Sequence, residues 1–165
     1  MTDRLAKVRR PGASRPRRDE PAARLIANAF GLGRLPLAPG TWGSLGALAV
    51  LAPLRAASPV AFGLALAALV PLSLWAADRA SRVLRQADPG EVVIDEVLGM
   101  GLTLAAVAAP SPKSLLAAFL LFRFFDVLKP PPLRRLERLP GGLGIVADDI
   151  GAAGWAAAAL WLLRL

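Results

Sequence analysis

Between Arg55 and Asp78 lie 22 residues without a charge, Ala56 to Ala77. As one helix this run would be about 33 Å long, against a bilayer hydrocarbon core of about 30 Å, so it is the segment best suited to cross a membrane. A stretch this apolar must be hidden from water, in lipid or in a protein core. Pro59, Gly63 and Pro71 fit the second setting too, because they could start and kink a buried helix.

Three further apolar runs are shorter or broken. Leu35 to Leu54 has proline and glycine crowded into its first half, and Val97 to Pro112 and Ile150 to Leu163 fall short of a full crossing. Short tilted spans, in-plane helices and core helices all fit such runs, and hydropathy alone does not choose among them. Trp42, Trp75, Trp155 and Trp161 sit near run ends, as interfacial anchors do, although core packing explains them equally.

Alanine and leucine dominate a chain that is 55% hydrophobic with a mean hydropathy of +0.51, while Tyr is absent and aromatics reach only 6%. That bias favours helix over strand and predicts an all-α fold, a compact bundle with one or more membrane-inserted helices. Residues 25–165 contain no repeat or linker and read as one domain. Residues 1–24 are different, with eight Lys or Arg against three Asp or Glu. They read as a disordered basic tail suited to an anionic membrane surface. Nucleic acid is not expected as a partner, since the basic run lacks interleaved aromatics. A signal peptide is not expected either, because the first apolar stretch follows a long basic segment and is broken by Pro36, Pro39 and Gly40.

Neither Cys nor His occurs in the chain. Thiolate nucleophiles, imidazole bases, disulfides and the usual zinc, haem and iron–sulfur ligands are therefore excluded. Chemistry must come from carboxylates, hydroxyls, Lys, Arg and backbone.

Outside the tail there are nine acids, and five of them border apolar runs. A carboxylate in such a place costs roughly 2.5–3.5 kcal/mol at the centre of an inserted helix, so it usually marks pairing or function. Four polar islands result. In Leu35-Pro-Leu-Ala-Pro-Gly-Thr-Trp-Gly-Ser-Leu45, a turn at Pro39-Gly40 carries Thr41, and Ser44 is suited to N-cap the helix that follows. Its free N–H groups could hold phosphate, although alone the segment reads more readily as a plain capped turn. In Val92-Val-Ile-Asp-Glu-Val-Leu-Gly99, Asp95 and Glu96 point about 100° apart on a helix and could share a metal or divide its ligation and orientation. A solvated helix start is the ordinary alternative, opposed by the apolar sequence on both sides. In Phe122-Arg-Phe-Phe-Asp-Val-Leu-Lys-Pro130, Arg123, Asp126 and Lys129 share one helical face. A salt bridge accounts for two of the three and leaves a base over for phosphate. In Gly141-Gly-Leu-Gly-Ile-Val-Ala-Asp-Asp149, a glycine turn precedes paired acids, of which N-capping by Asp148 explains one. Together the islands supply an all-oxygen donor set, which selects Mg²⁺ or Mn²⁺, beside bases of the kind that bind phosphate.

The segments Leu35-Pro-x-x-Pro-Gly-Thr-x-Gly-Ser44, Ile94-Asp-Glu-x-x-Gly99, Phe122-Arg-x-x-Asp-x-x-Lys-Pro130 and Gly141-Gly-x-Gly-Ile-x-x-Asp-Asp149 resemble the four signature blocks of the phosphatidylglycerophosphatase A family, in that family's order. The resemblance implies an all-helical, Mg²⁺-dependent enzyme that hydrolyses phosphatidylglycerophosphate to phosphatidylglycerol and phosphate. It places the enzyme at the bacterial cytoplasmic membrane with its active site facing the cytoplasm. On that reading Asp95, Glu96, Asp126, Asp148 and Asp149 are the expected metal ligands, with Asp95, Asp126 and Asp149 catalytic. Arg123, Lys129, Thr41, Ser44, Gly40 and Gly142 are expected to meet phosphate. Attack by water and a phosphoenzyme on Asp126 both stay open. A CDP-alcohol phosphatidyltransferase would space its acids by three residues after an Asp-Gly start, whereas here they are adjacent. A non-enzymatic carrier or scaffold would bury its acids deep within long spans, and here they sit at span edges.

Overall fold

The computed structural model describes residues 20–165, which are helical without any strand. Residues 1–19 of the basic tail lie outside the described residues, whereas residues 20–24, grouped with the tail by charge, begin the first helix. The elements are α1 (Glu20–Ala27), a 3-10 segment (Ala29–Arg34), α2 (Pro39–Ala57), α3 (Pro59–Leu84), α4 (Ile94–Ala106), α5 (Pro112–Leu128), α6 (Leu133–Leu136) and α7 (Gly142–Leu162).

The uncharged run is not one helix. It breaks at Ser58, whose backbone is extended and whose hydroxyl accepts from the Ala61 N–H, while Pro59 takes the first helical position of α3, where its missing N–H leaves nothing unsatisfied. Pro71 lies inside α3 and Pro59 does start a helix, although that helix is largely uncovered and not the buried one that the prolines suggested. α5 opens in the same way, with a capping box between Ser111 and Ser114 and Pro112 at its first position.

Two helices, α3 and α7, are long and apolar enough to cross a membrane. The sequence gives only 14 residues of the second because Asp148 and Asp149 interrupt the run; the helix continues through them to Gly142. Only 22% of the most apolar stretch of α3 is buried within the protein, against 50% for α7, so α3 carries the larger uncovered apolar surface. α4 has 13 residues and is too short to span. None of the four tryptophans is buried, which disfavours core packing as their common role.

α4 and α7 form the centre. α4 packs against α7, α2, α3 and α5, and α7 also packs against α5 and α3. Met100, Leu104, Phe122, Ala152, Ala156 and Leu160 fill the space between them and are all fully buried. Small residues set the spacing: a Cβ on Gly99 would lie 2.6 Å from the Phe122 ring. The loop before α4 is tied down at two points. Val93 N–H donates to the Ala27 carbonyl at 2.8 Å, and Glu91 accepts from Arg24 Nε at 2.5 Å with Arg34 Nε 3.6 Å away.

Gly142 is a spacer. A Cβ there would lie 2.6 Å from both Asp78 N and Leu74 O, backbone atoms of α3 that cannot swing aside. Gly142→Ala should destabilise the fold by about 1–3 kcal/mol, through overpacking against fixed atoms. Thermal unfolding measures it, and an unchanged midpoint would contradict this contact.

Glu91 is held below the ordinary glutamate value, first by the hydrogen bond from Arg24, against an opposing effect of burial. A group depressed in the folded state adds stability above its unfolded pKa and loses it as pH falls through the folded value. The stability gap between wild type and Glu91→Gln should therefore close on acidification. Unfolding midpoints of the two proteins across an acid series read this, and a pH-independent gap would contradict it.

Candidate active site

One end of the bundle holds a cavity of about 420 Å³. Asp95, Glu96, Asp126, Asp148 and Asp149 all line it, together with Arg123 and Lys129. Each arrives for a local reason. Asp95 and Glu96 are in the first turn of α4, where the positive end of the helix dipole favours carboxylates. Asp148 and Asp149 are in the second turn of α7. Because α7 begins at Gly142, Asp148 does not N-cap it, contrary to the expectation that capping explains this acid. Arg123 and Asp126 project from the last turns of α5. Lys129 follows as its C-cap in a left-handed conformation (φ 47°).

Both bases are paired, so no cation is left over as the sequence suggested. Arg123 Nη1 hydrogen-bonds Asp126 and lies 3.8 Å from Glu96 Oε1. Lys129 Nζ donates to Asp148 at 2.6 Å and to Glu137 at 3.1 Å. Burial alone would lower the Lys129 pKa, but these two carboxylates outweigh it and the net shift is upward. Five acids against two bases leave the cluster with formal negative charge in excess.

That excess is visible in the acids. Burial pushes the Asp95 carboxyl well up, reinforced by the charges of Glu96 and Asp149. Glu96 is also raised, by burial first, with Asp95 and Arg123 among the opposing influences. Asp95 Oδ1 and Glu96 Oε2 are buried without a hydrogen-bond partner. One carboxylate oxygen from each of Asp95, Glu96 and Asp149 lies within 4.8 Å of the others, and the same holds for Asp126, Asp148 and Asp149. Two oxygen clusters thus share Asp149. Orphaned buried oxygens, crowded like charges and an all-oxygen donor set fit a hard divalent cation.

The predicted phosphate-side residues divide. Gly40 lines the cavity, and a Cβ on it would collide with Glu96 Oε1 and come within 2.9 Å of Arg123 Nη1, so its role is to let those side chains close up. Ser44 does not reach the cavity. α2 starts at Pro39, six residues earlier than a Ser44 cap requires, and the Ser44 hydroxyl is buried and donates to the Gly40 carbonyl at 2.8 Å. Thr41 does not line the cavity either, nor does Gly142; the neighbouring Gly141 does. Asp88 and Glu137 line it and escaped the sequence reading, which weighed acids bordering apolar runs. The Asp88-Pro-Gly90 turn leading towards α4 was the available signal for the first.

An all-α bundle whose two central helices deliver adjacent acid pairs to one cavity, beside an Arg and a Lys, makes this a helical protein with an acid-rich site suited to a divalent cation. The chain belongs to the phosphatidylglycerophosphatase A family, whose model matches residues 25–164. It is 38% identical over 142 residues to phosphatidylglycerophosphatase A of Haemophilus influenzae, covering 85% of this chain and 87% of that one. It is 31% identical over 140 residues to the Escherichia coli protein of the same name, covering 84% and 81%. A putative phosphatidylinositol-3-phosphatase of Bacteroides thetaiotaomicron is 37% identical over 150 residues, covering 84% and 94%. No solved structure matches the chain. The family is one of phosphatases, and this chain is an enzyme of that kind.

A crowded acid cluster destabilises the fold that carries it. In chelator, Asp149→Asn should raise the unfolding midpoint by about 2–4 °C, as expected for relief of roughly 1 kcal/mol of repulsion in a chain of this size. A lower midpoint would mean that Asp149 is a structural partner instead.

Proposed function

We propose that the protein is a Mg²⁺-dependent phosphatase that removes the terminal phosphate of phosphatidylglycerophosphate, working at the cytoplasmic face of a bacterial inner membrane. The observation that carries this reading is the convergence of Asp95, Glu96, Asp126, Asp148 and Asp149 on one cavity beside Arg123 and Lys129. The relatives support the substrate class: their names share a phosphomonoester borne on a phospholipid headgroup. The apolar helices α3 and α7 support the membrane setting.

Asp95, Glu96 and Asp149 would hold Mg²⁺ on one side of the cavity, and Asp126, Asp148 and Asp149 on the other. Bound there, Mg²⁺ would neutralise the excess carboxylate charge, polarise the phosphoryl oxygens and acidify a water. Arg123 and Lys129, already in the cavity, would take the non-bridging phosphate oxygens. Water oxygen bonds to phosphorus as the bond from phosphorus to the glycerol oxygen breaks. A proton from that water finishes on the glycerol oxygen, and phosphatidylglycerol and inorganic phosphate leave. Asp126, hydrogen-bonded to Arg123 and facing the same cavity, would orient the attacking water and take up the proton that finishes on the glycerol oxygen.

The test is phosphate release from phosphatidylglycerophosphate by purified protein. Release should need Mg²⁺, stop in chelator, and fall by at least roughly 100-fold in Asp126→Asn and Asp149→Asn, a typical loss for a positioned acid–base or charge-stabilising group. Mg²⁺ should also raise the unfolding midpoint of wild type but not of Asp149→Asn. Full activity in chelator, or wild-type turnover in folded Asp126→Asn, would overturn the assignment.

A further inference from the structure

The segment that leads into the cavity displays large apolar side chains in a backbone conformation that such residues rarely adopt. Phe30 and Leu37 have φ of 58° and 62°, and Ala38 follows at 51°. At left-handed φ the Cβ crowds the chain, which is why glycine normally fills such positions. Here the side chains so placed are 78% exposed at Phe30 and 89% at Leu37. Trp42 and Leu35 are exposed nearby in sequence.

The display is braced. Asn28 Oδ1 accepts from the Gly31 N–H at 2.9 Å, and Trp42 Nε1 donates to the Pro36 carbonyl at 3.1 Å, across the turn that carries Leu37. Gly33 sits against the Glu91 backbone with no room for a side chain. The turn runs directly into Ala38, Pro39 and Gly40, which line the cavity. Its one charged residue is Arg34, more than half exposed, which shares the single carboxylate of Glu91 with Arg24 of the neighbouring α1. Rigidly held apolar tips, an indole beside them and surplus arginine match the edge of an anionic phospholipid leaflet.

We propose that residues 30–42 form a membrane wedge: Phe30, Leu37 and Trp42 enter the hydrocarbon edge of an anionic phospholipid leaflet and hold the cavity mouth at headgroup level. The inference rests on the lipid-substrate reading above and adds the surface through which the lipid is reached. A phosphomonoester on a lipid headgroup then meets Arg123 and Lys129 without leaving its leaflet, whereas a water-soluble phosphomonoester gains nothing from the wedge.

Two measurements test it. Because the chain has no cysteine, Leu37→Cys can carry a single environment-sensitive fluorophore in full-length protein reconstituted into phosphatidylglycerol–phosphatidylethanolamine vesicles. The probe should be quenched by nitroxide-labelled lipid and protected from iodide. Quenching by iodide instead, or protection from both as at a protein contact, would overturn the wedge. Leu37→Asp should lose roughly tenfold or more in kcat/KM on vesicle-borne phosphatidylglycerophosphate while keeping wild-type turnover of its dihexanoyl analogue below the micelle concentration. Equal losses on both substrates, or none on vesicles, would also overturn it. If wild type hydrolyses neither lipid, the proposed reaction fails, and the fluorophore still decides the wedge.

Discussion

Too many carboxylates occupy too little space at the end of this bundle, and the rest of the structure is arranged around that fact. Two central helices start at the same end, so two adjacent acid pairs face each other, and α5 adds Asp126 from the side. Helix-dipole stabilisation of the α4 pair and the two bases offset part of the repulsion. Burial first, and neighbouring carboxylate charge second, leave Asp95 and Glu96 raised, and each keeps one buried oxygen without a partner. A folded protein keeps such a cluster where function requires it, at a cost in stability.

Packing supplies the precision. Gly40 lets Glu96 and Arg123 approach, Gly99 admits the Phe122 ring between α4 and α5, and Gly142 seats the start of α7 on α3. These glycines act by missing side chains and not by φ, for all three are helical. The same logic explains why a chain so rich in alanine and leucine forms one arrangement: close approach at a few points fixes how the helices cross.

The all-α class and the five acids could be read from the sequence because an ionisable group beside an apolar run is conspicuous. The start of α3 is only half legible: Pro59 marks a possible start, but the absence of charge from Ala56 to Ala77 hides the break that the Ser58 cap makes. Helix starts elsewhere were harder. α2 begins at Pro39 and not after Ser44, and α7 runs through Asp148 and Asp149, because tertiary contacts extend a helix through residues whose local preference is to cap it. Pairing was illegible for a different reason. Lys129 meets Glu137 and Asp148 from a left-handed C-cap after which the chain reverses, and no periodicity along α5 encodes that. Asp88 sits in a loop with no apolar contrast to mark it.

The central claim is that carboxylates from α4, α5 and α7 together grip a divalent ion. Anomalous diffraction from crystals of the full chain grown with Mn²⁺ in place of Mg²⁺ tests it most directly. The account predicts a peak bonded to oxygens of Asp149 and of at least one of Asp95 and Asp126, at about 2.0–2.2 Å as for hard octahedral cations. Mn²⁺ bound elsewhere, with this cavity empty in protein active with the same metal, would contradict it.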